Sequence, residues 1–432
     1  MFLKKKLIIT ALIASISFGV FAQTSNTSNA TQNLFGNDVD AYMNVNSWST
    51  VAPENFFAYA RFSGGTPYLG FAKDFGAFYW GTYFTGNFGN LDNEKTVTGD
   101  NTSFDNHSGN NNTANFTFNN LFGFGNIGVK VLFDYYDYGS SKVTTGTTTT
   151  TVDVKRIGFG VRVGLSDFEL AGKSVLPYAE FFIRTPYSGS KTVVDNGTET
   201  TTTGDSRQTY MSIIAGGDII LSDTDALNQT LSTWVRYSSY SYKDGEKEAT
   251  VNGVQVQQKY LKDSYFYFPV YYTAKFNVTD KLAFAVKPGL YNYIRMQQTA
   301  EKVKSTTFTI DPSLTAGLTY DTGKKVILNA GVSIGNLLPT FTMTTETDTT
   351  NDPSTKISTT TLNATNGNLS FSSGFAIKPT NNLTIDCSFD IISHLLGTDF
   401  TSDLNTGSGY TIWETLNNIF VRDISFQISY KM

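Results

Sequence analysis

The stretch "YFYFPVYYTAKFNV" at 265–278 sorts its side chains onto two faces. Phe266, Phe268, Val270, Tyr272, Ala274, Phe276 and Val278 share one face, and Tyr265, Tyr267, Tyr271, Thr273, Lys275 and Asn277 share the other. A period of two residues is that of an extended strand with one greasy side and one wet side. The run outlasts an ordinary globular strand of about 5–6 residues. It reaches the roughly 9–11 residues with which a tilted strand crosses a bilayer. An apolar face of that length needs a core or lipid against it, and the rest of the chain decides which.

The pattern recurs in the next segment, where Leu282, Phe284, Val286, Leu290 and Ile294 oppose Lys287, Tyr291, Tyr293 and Arg295. It runs again through 127–138, 152–165, 174–187, 228–240, 326–338 and 383–391. At the end, "RDISFQISYKM" (422–432) alternates Ile424, Phe426, Ile428 and Tyr430 with Ser425, Gln427, Ser429 and Lys431. The connections between these segments alternate in length. The short ones, "KDFG", "GFGN", "SDFELAG", "SDTDALN", "VTDK", "DTGKK" and "PTNN", hold the Gly, Asp, Asn and Pro of tight turns. The long ones are Asn- or Thr-rich, as in "TTGTTTTT" and "TTETDTTNDPSTKISTTT", and read as solvent-exposed loops.

At its other end the chain reads "MFLKKKLIITALIASISFGVFAQ", a basic start, a short apolar run and a small-residue site at Val20-Phe21-Ala22. That is the form of a secretory signal peptide over 1–22, cleaved before Gln23. Residues 23–54 are polar, and although long enough for a plug they read as a flexible tail. Residues 55–432 show no linker-like break. One Cys in 432 residues excludes an intramolecular disulfide, so something else must hold an exported chain together. A net charge of −5 argues against a nucleic-acid partner.

Strand, short turn, strand and long polar loop, behind a cleavable signal and ending on an alternating strand, together resemble the outer-membrane β-barrel superfamily of Gram-negative bacteria. The Asn/Thr-rich loops and Tyr-rich strands are more loosely similar to spirochaete surface antigens. The resemblance rests on pattern across nearly the whole mature chain. It departs from the family at the last residue, since the final aromatic, Tyr430, is followed by Lys431 and Met432. It implies an all-β, antiparallel transmembrane barrel of about 14–16 strands, with short periplasmic turns and long extracellular loops. The uncertain count comes from 55–74, which reads as two strands or as an irregular entry into the barrel. Outer-membrane lipid and the barrel-assembly machinery are the partners implied. The abundant Tyr and Phe, 24 and 34 residues, would form girdles at both interfaces, as near "LFDYYDY" and "VRYSSYSY".

On such a wall the charged residues fall opposite the apolar ones. The inward candidates are Arg61, Lys130, Arg162, Arg184, Arg236, Lys275, Lys287 and Arg295, with Asp134, Glu180, Asp218, Asp311, Asp386 and Asp390. Two readings fit them: ion pairs that brace the wall, or charges lining an aqueous passage that selects solutes. Ile424, Phe426, Ile428, Tyr430 and Cys387 fall on the lipid side. Ser393-His394 with Asp390 is the sole cluster with hydrolase residue types, and proximity alone does not make a catalytic triad. "SDTDAL" echoes a calcium loop without its central Gly or its closing Glu, and reads as a turn. No enzyme, metal or cofactor is expected. Three functions remain: a porin-like passive channel for small hydrophilic solutes, a surface antigen or adhesin whose loops meet host or surface ligands, and a transporter of hydrophobic compounds of the fatty-acid type.

Overall fold

Each alternating segment is a strand, and each pairs antiparallel with the next, as period-two sequences joined by tight turns must. The computed structural model describes residues 43–46, 48–51, 56–63, 66–88, 95–96, 114–145, 148–166, 168–195, 198–203, 208–242, 247–251, 254–258, 263–300, 303–323, 325–335, 340–348, 355–363, 368–390 and 424–431. The wall consists of β1 (Phe57–Ser63), β2 (Thr66–Asp74), β3 (Tyr79–Phe88), β4 (Ala114–Phe124), β5 (Ile127–Thr145), β6 (Thr148–Leu165), β7 (Lys173–Asp195) and β8 (Gln208–Asp223). It continues through β9 (Leu227–Tyr242), β10 (Asp263–Tyr267 and Val270–Asn277), β11 (Leu282–Ala300) and β12 (Val303–Asp321). The last four are β13 (Val326–Gly335 and Thr340–Asp348), β14 (Thr355–Asn363 and Asn368–Thr380), β15 (Leu383–Asp390) and β16 (Ile424–Lys431). β1 pairs with β16, Phe57 opposite Lys431 through Phe62 opposite Phe426, so the sheet closes on itself as a 16-strand barrel. Closure removes the unpaired edges an open sheet of this size would carry. Residues 57–74 are two strands, which resolves the uncertain count.

The short turns gather at one end of the cylinder, where β1 begins and β16 ends. Gly125 and Gly323 hold φ of 58° and 73° there, left-handed values at which a side chain is strained. β10 breaks at Phe268-Pro269 because proline has no N–H for the ladder. The gap is stitched by Thr233, whose hydroxyl donates to Pro269 O at 3.0 Å, and by Phe268 N–H, which donates to Asn292 O at 3.0 Å.

At the other end, three Thr-rich tracts read as loops are strand instead. β5 and β6 stay paired to Thr145 and Thr148, and β7 runs on to Asp195 beside Thr148. Thr198–Thr203 folds back on β7, and Thr340–Asp348 pairs with Thr355–Asn363. Low hydrophobicity suggested loop, but threonine is β-branched and suits a pleated backbone whether or not lipid covers it.

Part of the N-terminal segment, expected as a tail, is packed against the wall. A helical turn, Trp48–Val51, and the residues before it bury Met43, Val45, Asn46 and Trp48. They meet Phe57, Tyr59, Ala72, Tyr79 and Leu121, with Trp48 stacked on Tyr79 at 5.1 Å. The wall is cleared for them by glycines: a Cβ at Gly123 would lie 2.5 Å from the Trp48 ring, and one at Gly164 2.6 Å from Val45. Residues 1–42, holding the expected signal peptide, lie outside the described residues.

Candidate functional site: the inner wall

Register assigns every side chain to a face. β5 turns Lys130 and Asp134 the same way, opposite Arg162 and Gly158 of β6, which in turn face Glu180 and Arg184 of β7. Arg162 donates to Glu180 Oε2 at 2.6 Å. Arg184 donates to Asp134 from two strands away, its Nε 3.1 Å from Oδ2, and the bridge passes over Gly158, where a Cβ would collide with the carboxylate. Lys130 reaches up to donate to Met43 O at 3.2 Å, and Asn46 Nδ2 donates to Leu176 O at 2.7 Å. The docked segment therefore lies on the charged face, and the charged face is the inside.

Beyond β7 the inner face changes character. Arg184, Tyr210, Tyr240 and Asp263 stand in one row across β7–β10, and Glu180, Ile214, Arg236, Tyr267 and Tyr293 in another across β7–β11. Arg295 donates to Asp263 at 2.8 Å and lies over the Tyr265 ring at 5.2 Å. Arg236 donates to Ser212 Oγ at 3.2 Å and to the Tyr210 hydroxyl, with its guanidinium 5.9 Å from the Tyr267 ring. Lys287 sits 5.2 Å from the Tyr271 ring. Among the described residues neither Arg236 nor Lys287 forms an ion pair. Along β12–β14 the inner side chains shrink to hydroxyls, as in Thr307 with Thr344 and Thr315 with Ser333, both 3.2 Å apart.

The outer face is the converse. Phe118, Phe159, Val163, Phe181, Val235, Leu290, Leu314 and Leu328 are exposed, each flanked along its strand by side chains that turn inward. Phe75, Phe78 and Phe124 form an aromatic collar near the short turns, the first two stacked at 4.8 Å. Such a largely apolar outside would be intolerable in water. With a closed ladder and a charged inside, it has one solvent that suits it, the bilayer. The chain is a transmembrane β-barrel.

No family model matches this barrel, and no curated protein does. Among solved structures it is similar to CdiB from Escherichia coli, at 10% identity over 87% of this chain and 62% of that one, with a TM-score of 0.41. The FrpB iron transporter from Neisseria meningitidis is similar at 9% identity over 84% and 63%, TM-score 0.35. A variant of the ferric enterobactin receptor from Pseudomonas aeruginosa follows at 9% over 78% and 68%, TM-score 0.33. The barrel thus spans less than two thirds of the first two. At these scores the likenesses carry no argument about its cargo; its placement in a membrane rests on its own two faces.

The inward candidates divide accordingly. Three cations are neutralised: Arg162 by Glu180, Arg184 by Asp134, and Arg295 by Asp263, an acid absent from the inward candidates. Arg61 stacks over Tyr68 at 5.0 Å. Lys275 shares the inner face opposite Asn228 and Ala285. Asp311 faces Tyr291 in register, and Asp218 lies within electrostatic reach of Lys287. Asp386 is buried beside Gln427 and forms no ion pair among the described residues. Asp390 is paired through its backbone opposite Ser372, but its side chain, with Ser393, His394, His107 and the 411–420 segment, lies outside the described residues. Phe426, Ile428, Tyr430 and Cys387 share the outer face, and the side chain of Ile424 lies outside the described residues. The residues around "SDTDAL" form a turn in which Asn228 Nδ2 donates to Asp223 at 2.8 Å. Among the described residues no three His, Cys, Asp or Glu converge as metal ligands.

The tyrosines divide. In the two stretches expected to supply interface girdles, Tyr135 and Tyr237 share the outer face with Phe116 and Phe266, whereas Tyr136 and Tyr240 point inward with Tyr178, Tyr210, Tyr265, Tyr267, Tyr271, Tyr291 and Tyr293. Parity decides this, and the phenol hydroxyl suits a wet interior.

Proposed function

We propose that this barrel is a passive channel for small hydrophilic solutes, with its short turns on the periplasmic side. One observation carries the reading: the inner face of β8–β14 is polar, and among the described residues no contact with the docked N-terminal segment covers it. A hydrated interior is the natural filling for such a face. Among the described residues Arg236 and Lys287 form no ion pair, although Asp218 lies within electrostatic reach of Lys287, so the channel should prefer anions modestly despite the chain's net charge of −5. Purified protein inserted stepwise into a planar bilayer should conduct ohmically, with a reversal potential displaced toward that of the anion in a salt gradient. A folded, inserted protein that passes no current ends this reading.

A second reading has its own observation. β5, β6 and β7 run for 19, 18 and 23 residues, against roughly 9–11 needed to cross a bilayer. The Thr-rich surplus would stand above the membrane at 139–153 and 188–203, where it could meet host or surface ligands. Protease added to intact cells should cut near 91–113, 188–206 and 345–357, and protection of all three would reverse the orientation. A carrier of hydrophobic compounds would share the inner segment, but it needs an apolar lining, and this lining is charged and hydroxylated.

A further inference from the structure

The tyrosines of the inner wall are not scattered. On β10 and β11 they occupy successive inward levels: Tyr265 opposite Arg295, Tyr267 opposite Tyr293, Tyr291 beside Trp234, and Tyr271 opposite Gly289. Six residues of β11 separate the first level from the last, roughly 20 Å of strand at about 3.3 Å per residue. Neighbouring rings keep short, regular separations: Tyr265 to Tyr267 5.7 Å, Tyr267 to Tyr291 5.7 Å, and Trp234 to Tyr291 6.4 Å. At the lower step the Tyr271 ring covers Gly289, in the space a Cβ would fill, and so lies along the wall. All of these rings are half-buried, so each keeps part of a face toward the interior.

The rims of this row carry groups of both signs. Arg236 and Arg295 stand at one side, Lys287 continues the line below Tyr271, and Asp263 and Asp311 lie beside Tyr265 and Tyr291. A lipid chain would take these charged groups out of water and offer them no hydrogen bond in return. A planar anion would meet Asp311, and a planar cation Arg236. A sugar suits them all. Its C–H faces lie on aromatic rings, and its hydroxyls both donate and accept, so guanidinium, carboxylate and phenol are all partners.

Resting on the channel reading above, we infer that the Tyr265–Tyr267–Tyr291–Trp234–Tyr271 row is a binding track for linear, uncharged oligosaccharides passing along the barrel axis. Several ring faces in line favour several linked sugar rings over one, because each further stack adds to a ligand already held.

The test uses the full protein in a planar bilayer with maltohexaose and glucose as probes. Maltohexaose should interrupt the ionic current saturably, and glucose should do so far more weakly. Tyr267→Ala and Tyr291→Ala should each weaken block by roughly tenfold, while Tyr291→Phe, which keeps the ring, should retain most of it. An open channel that maltohexaose does not block, or blocks equally in the alanine variants, overturns the track and leaves the channel standing. Equal block by glucose overturns the multi-ring reading. If the protein conducts nothing, the channel reading fails by itself, and the track is then read in detergent from tryptophan fluorescence. There, a saturable change with maltohexaose that disappears in Trp234→Phe and in Tyr291→Ala supports the track, and its absence in the parent protein overturns it.

Discussion

The two halves of the inner wall solve one problem in opposite ways. Both must give a partner to polar backbone and side chains that face inward. From β1 to β7 the wall is carved by glycines, and a piece of the chain's own N-terminal region is laid into the hollow, with Trp48, Val45 and Met43 as its buried side chains. From β8 to β11 the wall is built up with tyrosines and cations and carries no such cover among the described residues. Where side chains are withdrawn, the protein packs itself; where they are added, an inner surface is left for something else. What covers a wall is therefore legible from which positions on it are small.

The contrast can be broken at either side. Gly128→Leu should have the largest effect, since its Cβ would collide with the Val45 main chain. Burial of an aromatic the size of Trp48 contributes about 3–5 kcal/mol, so expelling the segment should turn a cysteine placed at Asn46 from protected to fully reactive with a thiol reagent. An unlabelled Asn46→Cys in that variant would mean that the segment is held elsewhere. Asp134→Ala comes next. It leaves Arg184, about one quarter exposed, facing a buried vacancy, and should cost on the order of 2 kcal/mol. The urea midpoint of the refolded barrel, followed by heat-dependent gel mobility, reads it directly. Weaker still is the electrical difference between bare and paired charges. Arg236→Ala with Lys287→Ala should move the reversal potential toward cations, whereas removing Arg295 and Asp263 together should leave it in place. Equal shifts would show that pairing does not screen Arg295. Least of all, deleting the paired tips of β5 and β6 (142–151) should change the unfolding midpoint by less than about 0.5 kcal/mol, because the wall below stays paired.

Much of this was written in the chain. The two faces at 265–278 and 282–295 follow period-two alternation through every position, even across the break at Pro269. The inward charges followed from the same rule. What escaped was whatever depends on a distant partner. Asp263 sits at the edge of a polar gap, and only the neighbouring strand shows that Arg295 reaches it. Polarity across 23–54 concealed Met43, Val45 and Trp48, because apolar side chains scattered through a mostly polar stretch make no period. The signal that could have revealed them lay elsewhere, in Gly123, Gly128 and Gly164 at inward positions near two neighbouring turns. Composition misled in the Thr tracts, since solubility and backbone conformation are separate properties of threonine.

The junction of β1 with β16 has a consequence for how the cylinder comes into being. Fifteen of its joints link strands that follow one another along the chain, and can zip from a local turn. This last seam joins its opposite ends through six paired positions, from Phe57 with Lys431 to Phe62 with Phe426. By comparison, β5 and β6 run together from Ile127 with Leu165 to Thr145 with Thr148. The seam has the longest loop to close and the fewest bonds with which to hold it. Left open inside hydrocarbon, it would bare two rows of amides that oil cannot solvate, each at several kcal/mol. The sheet must therefore reach the membrane's interior already sewn shut, or enter beside a surface that lends those two hems a temporary partner.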